Sequence, residues 1–178
     1  MALKATIYKA DLQISDMDRH YYQGHALTIA RHPSETDERM MLRVLAFALH
    51  ASESLQFGKG ISTEDEPDLW QKSLSDEIEL WIDLGNPDEK RLRKACGRAK
   101  QVVVYTYQSR SAAVWWQQMQ DVLKRFDNLT VRHLDSDSVE ALGKLAARTM
   151  DLQCLIQDGQ ISLSNPQQSV TLSLREQP

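Results

Sequence analysis

The sequence predicts an α/β fold: a mixed central sheet flanked by helices, with an additional β layer made by the N- and C-terminal segments. Residues 3–14 alternate between apolar and polar side chains, which is the period of a half-buried strand. Apolar runs at 78–85, 101–108 and 129–135 are separated by amphipathic segments of helical period. Near the end, Asp158-Gly159 separates two short apolar segments and predicts a hairpin.

Length and composition are those of one soluble globular domain spanning residues 1–178. Apolar residues make up 42% and charged residues 26% of the chain, and the formal net charge is -4. An acidic chain lacks a broad nucleic-acid footprint, so any nucleic-acid binding must come from a local basic patch. No apolar run is long enough to span a bilayer, and we expect a cytoplasmic protein with no membrane partner. Composition does not predict an oligomeric state.

The N-terminal third predicts a hairpin followed by a helix. Strands at 3–14 and 25–32 flank a turn at residues 16–18. Ser34 is a suitable N-cap, with Asp37 three residues later as a variant of the capping box. Helical spacing then places Glu38 on the apolar face, where a carboxylate is unusual. Glu38 is either a first-turn acid that interacts with the helix dipole or a functional carboxylate.

The central strand at 78–85 carries the most informative acid. Its side chains are apolar on both faces, so the strand should lie inside the sheet. Asp83, near its C-terminal end, must be paired, hydrogen-bonded or bound to a metal. Asn86 and Pro87 predict the N-cap and first position of the next helix. That helix places three basic residues opposite its apolar face: Lys90, Lys94 and Arg98. They form either a solvated surface or a binding surface.

The rest of the chain continues the α/β order. A buried strand at 101–108 precedes a helix at 109–126, in which the Trp115-Trp116 pair is expected to pack in the core rather than stack on bases. A strand at 129–135 leads to a helix that is capped by Asp135 or Ser136 and continues to Arg148. Cys96 and Cys154 match no metal-binding spacing and are expected to be free thiols.

The chain resembles the YaeQ family of bacterial proteins from end to end. The matching stretches are residues 1–10, 27–43, 64–70, 79–96, 105–118, 148–153 and 156–164. YaeQ proteins look like a variant of the PD-(D/E)XK nuclease fold, the fold of restriction endonucleases. The resemblance therefore implies a PD-(D/E)XK core over a single domain.

The nuclease pattern also implies roles for particular residues. Pro67-Asp68 resembles the PD half of the motif, Asp83 resembles the second acid, and Glu38 resembles an acid supplied by the preceding helix. These three carboxylates would bind Mg²⁺, which keeps several waters in its shell. The motif lysine falls at Gly85, so this chain departs from the pattern. A cation on the following helix, Lys94 or Arg91, is the expected substitute, with Arg91 nearer the apolar stripe.

Three functions follow as hypotheses. The first is a Mg²⁺-dependent nuclease that acts on nucleic acid held by the local basic helix. The second is a catalytically inactive nuclease-fold protein that serves as a binding or regulatory module, because Gly85 replaces the lysine and the chain is acidic. The third is a protein-interaction domain, based on aromatic residues expected to be exposed: Tyr21, Tyr22 and Trp70.

Overall fold

The computed structural model describes residues 4–59, 65–176 and 178. In the described residues the chain forms ten strands and four helices. In chain order they are β1 (Thr6–Asp16), β2 (Tyr21–Arg31), α1 (Asp37–His50), β3 (Leu55–Phe57), β4 (Leu69–Lys72), β5 (Ile78–Leu84), α2 (Glu89–Arg98), β6 (Ala99–Thr106), α3 (Ser109–Leu123), β7 (Leu129–His133), α4 (Ser136–Gly143), β8 (Thr149–Gln157), β9 (Gln160–Ser164) and β10 (Ser169–Ser173). They form two mixed sheets, so the coarse prediction of a mixed α/β protein is confirmed.

The chain divides into two compact units, each with its own sheet. The first unit comprises Met1–Leu49 and Asp137–Leu174, and the second comprises His50–Ser136 and Arg175–Pro178. The sheet of the first unit has the order β10-β9-β8-β1-β2, and that of the second has the order β3-β4-β5-β6-β7. The N- and C-terminal segments therefore pair in a sheet of their own, as the alternating patterns predict.

In the first unit, the period-two pattern of the strands buries one face of the sheet. On β1, Leu12 is fully buried and Ile14 is 2% exposed, while their sequence neighbours face outward. β1 pairs antiparallel with β2 and parallel with β8. The predicted turn at Asp158-Gly159 is confirmed, with φ of 52° and 77° at the two residues. Positive φ at both central positions is the geometry that joins two antiparallel strands most tightly.

Helix α1 begins later than its sequence predicts. Its first hydrogen-bonded cap is Thr36, whose Oγ1 accepts the Arg39 N–H at 3.1 Å. Ser34, the predicted N-cap, is engaged by His32 in the preceding turn, with 2.7 Å between Ser34 Oγ and His32 Nδ1. That turn is closed by the Glu35 N–H and the His32 carbonyl, so the helix cannot start at Ser34. The capping-box prediction is therefore wrong by two residues.

In the second unit, β5 is the central strand, as predicted from its two apolar faces. It pairs antiparallel with β4 and parallel with β6, which in turn pairs parallel with β7. Trp81 on β5 and Leu92 on α2 are fully buried in the core of this unit. Trp115 is 7% exposed, so the prediction that it packs in the core is confirmed.

Several predicted boundaries in the middle and later parts of the chain are wrong. The N-cap of α2 is Asp88, whose side chain accepts the Arg91 N–H, whereas Asn86 and Pro87 precede it. The Pro87 carbonyl instead accepts the Trp115 indole N–H at 2.7 Å. α4 ends at Gly143 rather than Arg148, because residues 144–146 close a turn before β8 begins at Thr149.

Both cysteines are free, as their spacing predicts. Burial raises the pKa of the Cys96 thiol to about 11 and, together with the charge of Asp16, that of Cys154 to about 12. Neither thiol is therefore ionised near neutral pH. No helix within the described ranges is long and apolar enough to cross a membrane.

Gly85 ends β5 with a backbone that other residues rarely adopt. Its φ is 107°, and a Cβ at this position would meet no atom within 4 Å. We predict that Gly85→Ala lowers the free energy of unfolding by about 1–3 kcal/mol through backbone strain alone. Urea denaturation followed by circular dichroism measures this change.

Gly97 provides the matched control, since it also has open space at its Cβ but lies within α2. Gly97→Ala should raise stability, by no more than about 1 kcal/mol, because alanine restricts the unfolded chain and favours a helix. Equal effects of the two substitutions would show that φ at Gly85 imposes no constraint.

Candidate functional site

The candidate site lies where β4 begins and β5 ends in the second unit. Asp68 directly precedes β4, and its backbone N–H donates to the Ile82 carbonyl at 3.1 Å, which fixes it beside the C-terminal end of β5. Asp83 is the penultimate residue of β5. Each of these two aspartates is 3% exposed. The structure therefore brings two of the three predicted acids to the same end of one strand.

Asp83 is held by Arg91 in a two-pronged ion pair. Arg91 Nε lies 2.7 Å from Asp83 Oδ2, and Arg91 Nη2 lies 3.0 Å from Asp83 Oδ1. This fork is the strongest geometry for a guanidinium and a carboxylate. The hydrogen bond to Asp83 is the main cause that raises the pKa of Arg91, with further contributions from the charges of Asp83, Asp68 and Asp88. Each Asp83 oxygen therefore accepts one hydrogen bond from this side chain.

The local structure of α2 aims Arg91 at the strand. Asp88 caps the helix by accepting the Arg91 N–H at 2.8 Å, which fixes the first turn. From that turn the guanidinium reaches Asp83 and also donates to the Glu66 carbonyl at 3.0 Å. It lies 5.7 Å from the Trp81 ring centroid, within the range of a cation–π contact. Arg91 thus connects α2, β5 and the segment before β4.

Asp68 has a structural partner of its own. Its Oδ2 accepts the buried Leu84 N–H at 2.9 Å. This bond satisfies a main-chain donor at the end of β5, a group that would be costly to leave unpaired. Asp68 therefore supports the strand end from which Asp83 projects.

The other predicted cation, Lys94, pairs with an exposed acid. Lys94 Nζ lies 2.6 Å from Asp65 Oδ1, and Arg98 Nη1 donates to the Asp65 carbonyl at 3.0 Å. The hydrogen bond from Lys94 and its charge lower the pKa of Asp65. Glu64, which begins the acidic segment, lies outside the described residues. The catalytic role predicted for Lys94 stays a prediction.

Glu38 belongs to the first unit, on the first turn of α1. It is half-buried, and its side chain packs closely on α4, where a Cβ added at Gly143 would lie 2.7 Å from Glu38 Cγ. This position agrees with a first-turn acid, the structural alternative considered for it. Among the described residues there is no group of three or more His, Cys, Asp or Glu side chains arranged to hold a metal ion.

While Arg91 is in place, each Asp83 oxygen accepts a hydrogen bond from its guanidinium, so a metal at Asp83 would lie beside a positive charge and use the remaining lone pairs. The roles of Glu38, Asp68 and Asp83 as Mg²⁺ ligands stay predictions. The sequence also did not reveal Asp88 as the cap or Trp81 as the ring under the guanidinium. The position of Arg91 at the edge of the apolar face of its helix did indicate that its side chain lies near the site.

The expected exposure of aromatic residues is only partly correct. Trp70 is 8% exposed and lies edge-on to Trp81, with 6.1 Å between ring centroids, so the prediction of an exposed Trp70 is wrong. It is buried because its ring packs in the core of the second unit, in a cluster that includes Trp81 and Leu92. Tyr21 is half-buried and its hydroxyl lies 2.6 Å from His25 Nε2. Tyr22 is 59% exposed, as predicted.

Removal of the Arg91 guanidinium should destabilise the protein by leaving Asp83 buried without its partner. Loss of one member of a fully buried pair costs about 3–5 kcal/mol. Because the Arg91 side chain is 25% exposed, we expect Arg91→Ala to lower the free energy of unfolding by about 2 kcal/mol. Urea unfolding at neutral pH measures the change.

Arg93→Ala is the control from the same helix. Arg93 pairs with Glu89 at 2.7 Å, but its side chain is 68% exposed. An exposed pair of this kind contributes about 0.3–0.5 kcal/mol. If Arg91→Ala is as mild as Arg93→Ala, the Asp83–Arg91 pair does not hold this end of the sheet.

Comparison with known proteins gives a consistent family assignment. The YaeQ protein family matches residues 1–174. The YaeQ proteins of Salmonella typhi and Escherichia coli (strain K12), both named as uncharacterized, are 51% and 49% identical over 174 residues, covering 98% of this chain and 96% of each relative.

Two crystal structures extend the likeness to the fold. The YaeQ protein from Xanthomonas axonopodis pv. citri is 50% identical with a TM-score of 0.93, covering 98% of this chain and 99% of that one. The YaeQ protein from Pseudomonas syringae is 36% identical with a TM-score of 0.92, covering 96% of this chain and 94% of that one. Since sequence and fold agree over nearly the whole length, the chain belongs to the YaeQ family.

Proposed function

We propose that this chain is a catalytically inactive protein on a PD-(D/E)XK-like scaffold that binds nucleic acid through the basic face of α2. The observation that carries the proposal is the fork between Arg91 and Asp83. It uses both oxygens of the carboxylate that the nuclease pattern assigns to the metal. The Arg91 guanidinium also donates to the Glu66 carbonyl, so its release would break this hydrogen bond as well as the fork.

The departure at Gly85 supports the inactive alternative. In the nuclease pattern a lysine two residues after the second acid offsets charge on the phosphate. In this chain the strand ends there with φ of 107°, a conformation that disfavours any side chain. The substitute cations are also engaged, Arg91 by Asp83 and Lys94 by Asp65. These pairs support the proposal that residues of the catalytic pattern serve the fold in this chain.

A basic surface remains on the outer side of α2 despite the net charge of -4. Its exposed cations come from α2, the start of β6 and the end of α3: Lys90, Arg93, Lys94, Arg98, Lys100, Lys124 and Arg125. Within the described residues, the carboxylates that form ion pairs with them are Glu89, Asp65 and Glu77. A local excess of Lys and Arg is the electrostatic footprint of phosphate-backbone binding.

The proposal predicts salt-dependent binding without cleavage. Fluorescence anisotropy with labelled single-stranded DNA, duplex DNA and RNA should show an affinity that falls about 100-fold between 50 and 200 mM salt if roughly four phosphates are contacted. The double variant Lys90→Gln/Arg93→Gln should weaken binding and reduce the salt slope. Lys9→Gln, an exposed charge on β1 in the other unit, should leave both unchanged.

Incubation of the same nucleic acids with Mg²⁺ or Mn²⁺ should leave them intact. The role of the basic face would be contradicted if the affinity did not change with salt concentration. It would also be contradicted if the α2 double variant bound as tightly as the wild type. Cleavage that is abolished by Asp83→Ala would contradict the inactive assignment.

The second candidate is a Mg²⁺-dependent nuclease with Glu38, Asp68 and Asp83 as metal ligands and Arg91 or Lys94 as the cation. One observation favours it: two buried aspartates, Asp68 and Asp83, lie at the same end of β5, and the hydrogen bond with Asp83 and then the charges of both raise the pKa of Arg91. Cleavage that requires both aspartates would establish this candidate. Nucleic acids that stay intact with the wild-type chain and Mg²⁺ or Mn²⁺ would contradict it.

A further inference from the structure

Strand β2 forms one edge of the sheet in the first unit. The order β10-β9-β8-β1-β2 gives it a strand neighbour on one side only, within the described residues. The strand is 11 residues long, whereas β10 at the other edge has 5. A long edge presents a row of main-chain N–H and C=O groups that can pair with another strand.

The usual devices that protect a sheet edge are missing from β2. Residues 22–30 contain no Asp, Glu, Lys, Arg or Pro. The register with β1 runs without interruption from Thr6 opposite Arg31 to Asp16 opposite Tyr21, so no bulge twists the edge away. Natural sheets normally block such an edge with charge, proline or a bulge. Residues 22–30 therefore offer a sheet edge that charge, proline and bulges do not protect.

The outer face of the strand is self-complementary under a two-fold axis. Tyr22, at one end, is 59% exposed and shares this face with small residues along the strand: Gly24, Ala26, Thr28 and Ala30. Ile7, opposite Ala30 on β1, is 44% exposed at the other end. Antiparallel pairing about the middle of β2 would bring the large side chain of each copy onto the small residues of the other.

We propose that β2 pairs antiparallel with β2 of a second copy of this chain and joins the two sheets into one. Alternate residues of the strand direct their main-chain groups outward, so the symmetric pairing offers roughly eight to ten hydrogen bonds, as many as a typical protein interface has. At one end, the Ala30 carbonyl already accepts a hydrogen bond from Arg43 Nη2 at 3.0 Å. This carbonyl is therefore less available to pair with the second copy. Because residues 22–30 contain no Asp, Glu, Lys or Arg, two chains of net charge -4 can meet along them without like charges from these residues.

The test is the oligomeric state of the full chain measured by sedimentation equilibrium over a concentration series. The wild-type chain should sediment at twice its chain mass at high concentration. Ala26→Glu places like charges at the centre of the pairing and should raise the dimer dissociation constant about tenfold or more. Gln153→Glu adds the same charge to an exposed position on β8, an inner strand, and should leave the constant unchanged.

Hydrogen exchange provides a readout independent of the variant's stability. Amides of β2 should exchange more slowly at high than at low concentration of the wild-type chain, while those of β10 should not change. A wild-type chain that stays monomeric throughout the series, or an Ala26→Glu variant that folds and dimerises like the wild type, would overturn the proposal.

Discussion

The ion pair between Asp83 and Arg91 is the interaction on which the second unit's candidate site depends. A carboxylate that is 3% exposed at the end of a central strand must be neutralised where it lies. Arg91, in the first turn of α2, neutralises this carboxylate with its guanidinium. The same guanidinium donates a hydrogen bond to the Glu66 carbonyl in the segment before β4. One guanidinium thereby joins a strand, a helix and a connecting segment.

This constraint also explains why the two sides of α2 differ in role. Its inner side places Leu92 and Ala95 in the core, and Arg91 lies at the border between core and surface. Its outer side carries charges that make only exposed pairs, which contribute little to stability. Those charges are therefore available for phosphate groups at little cost to the fold, whereas Arg91 is not.

Much of the fold could be predicted from the sequence because its strongest signals are local. Alternation identified the terminal strands, two apolar faces identified β5 as central, and Asp158-Gly159 identified the hairpin. Helix starts were less accurate, because Thr36 and Asp88 compete with other good capping residues nearby and the adjacent turns decide between them. The burial of Trp70 depends on which core side chains pack against its face of β4, which composition does not reveal.

The sequence predicted which residues form the candidate site but not which of them pair with each other. Sequence reasoning identified Asp68, Asp83 and Arg91, and two of these form the central ion pair. Whether an acid binds a metal or an arginine depends on how a helix packs against a strand, and no spacing in the sequence specifies that orientation. Glu38 was chosen from helical spacing and from its resemblance to an acid of the nuclease pattern, and in the first unit its side chain packs against Gly143.

The most direct test of the central claim is the anomalous diffraction of crystals of this chain soaked in Mn²⁺. We expect no manganese within coordinating distance of the Asp83 carboxylate, with Arg91 still bound to both of its oxygens. Manganese bound to Asp83 and Asp68, with the Arg91 side chain displaced, would contradict the account and restore a metal-dependent site.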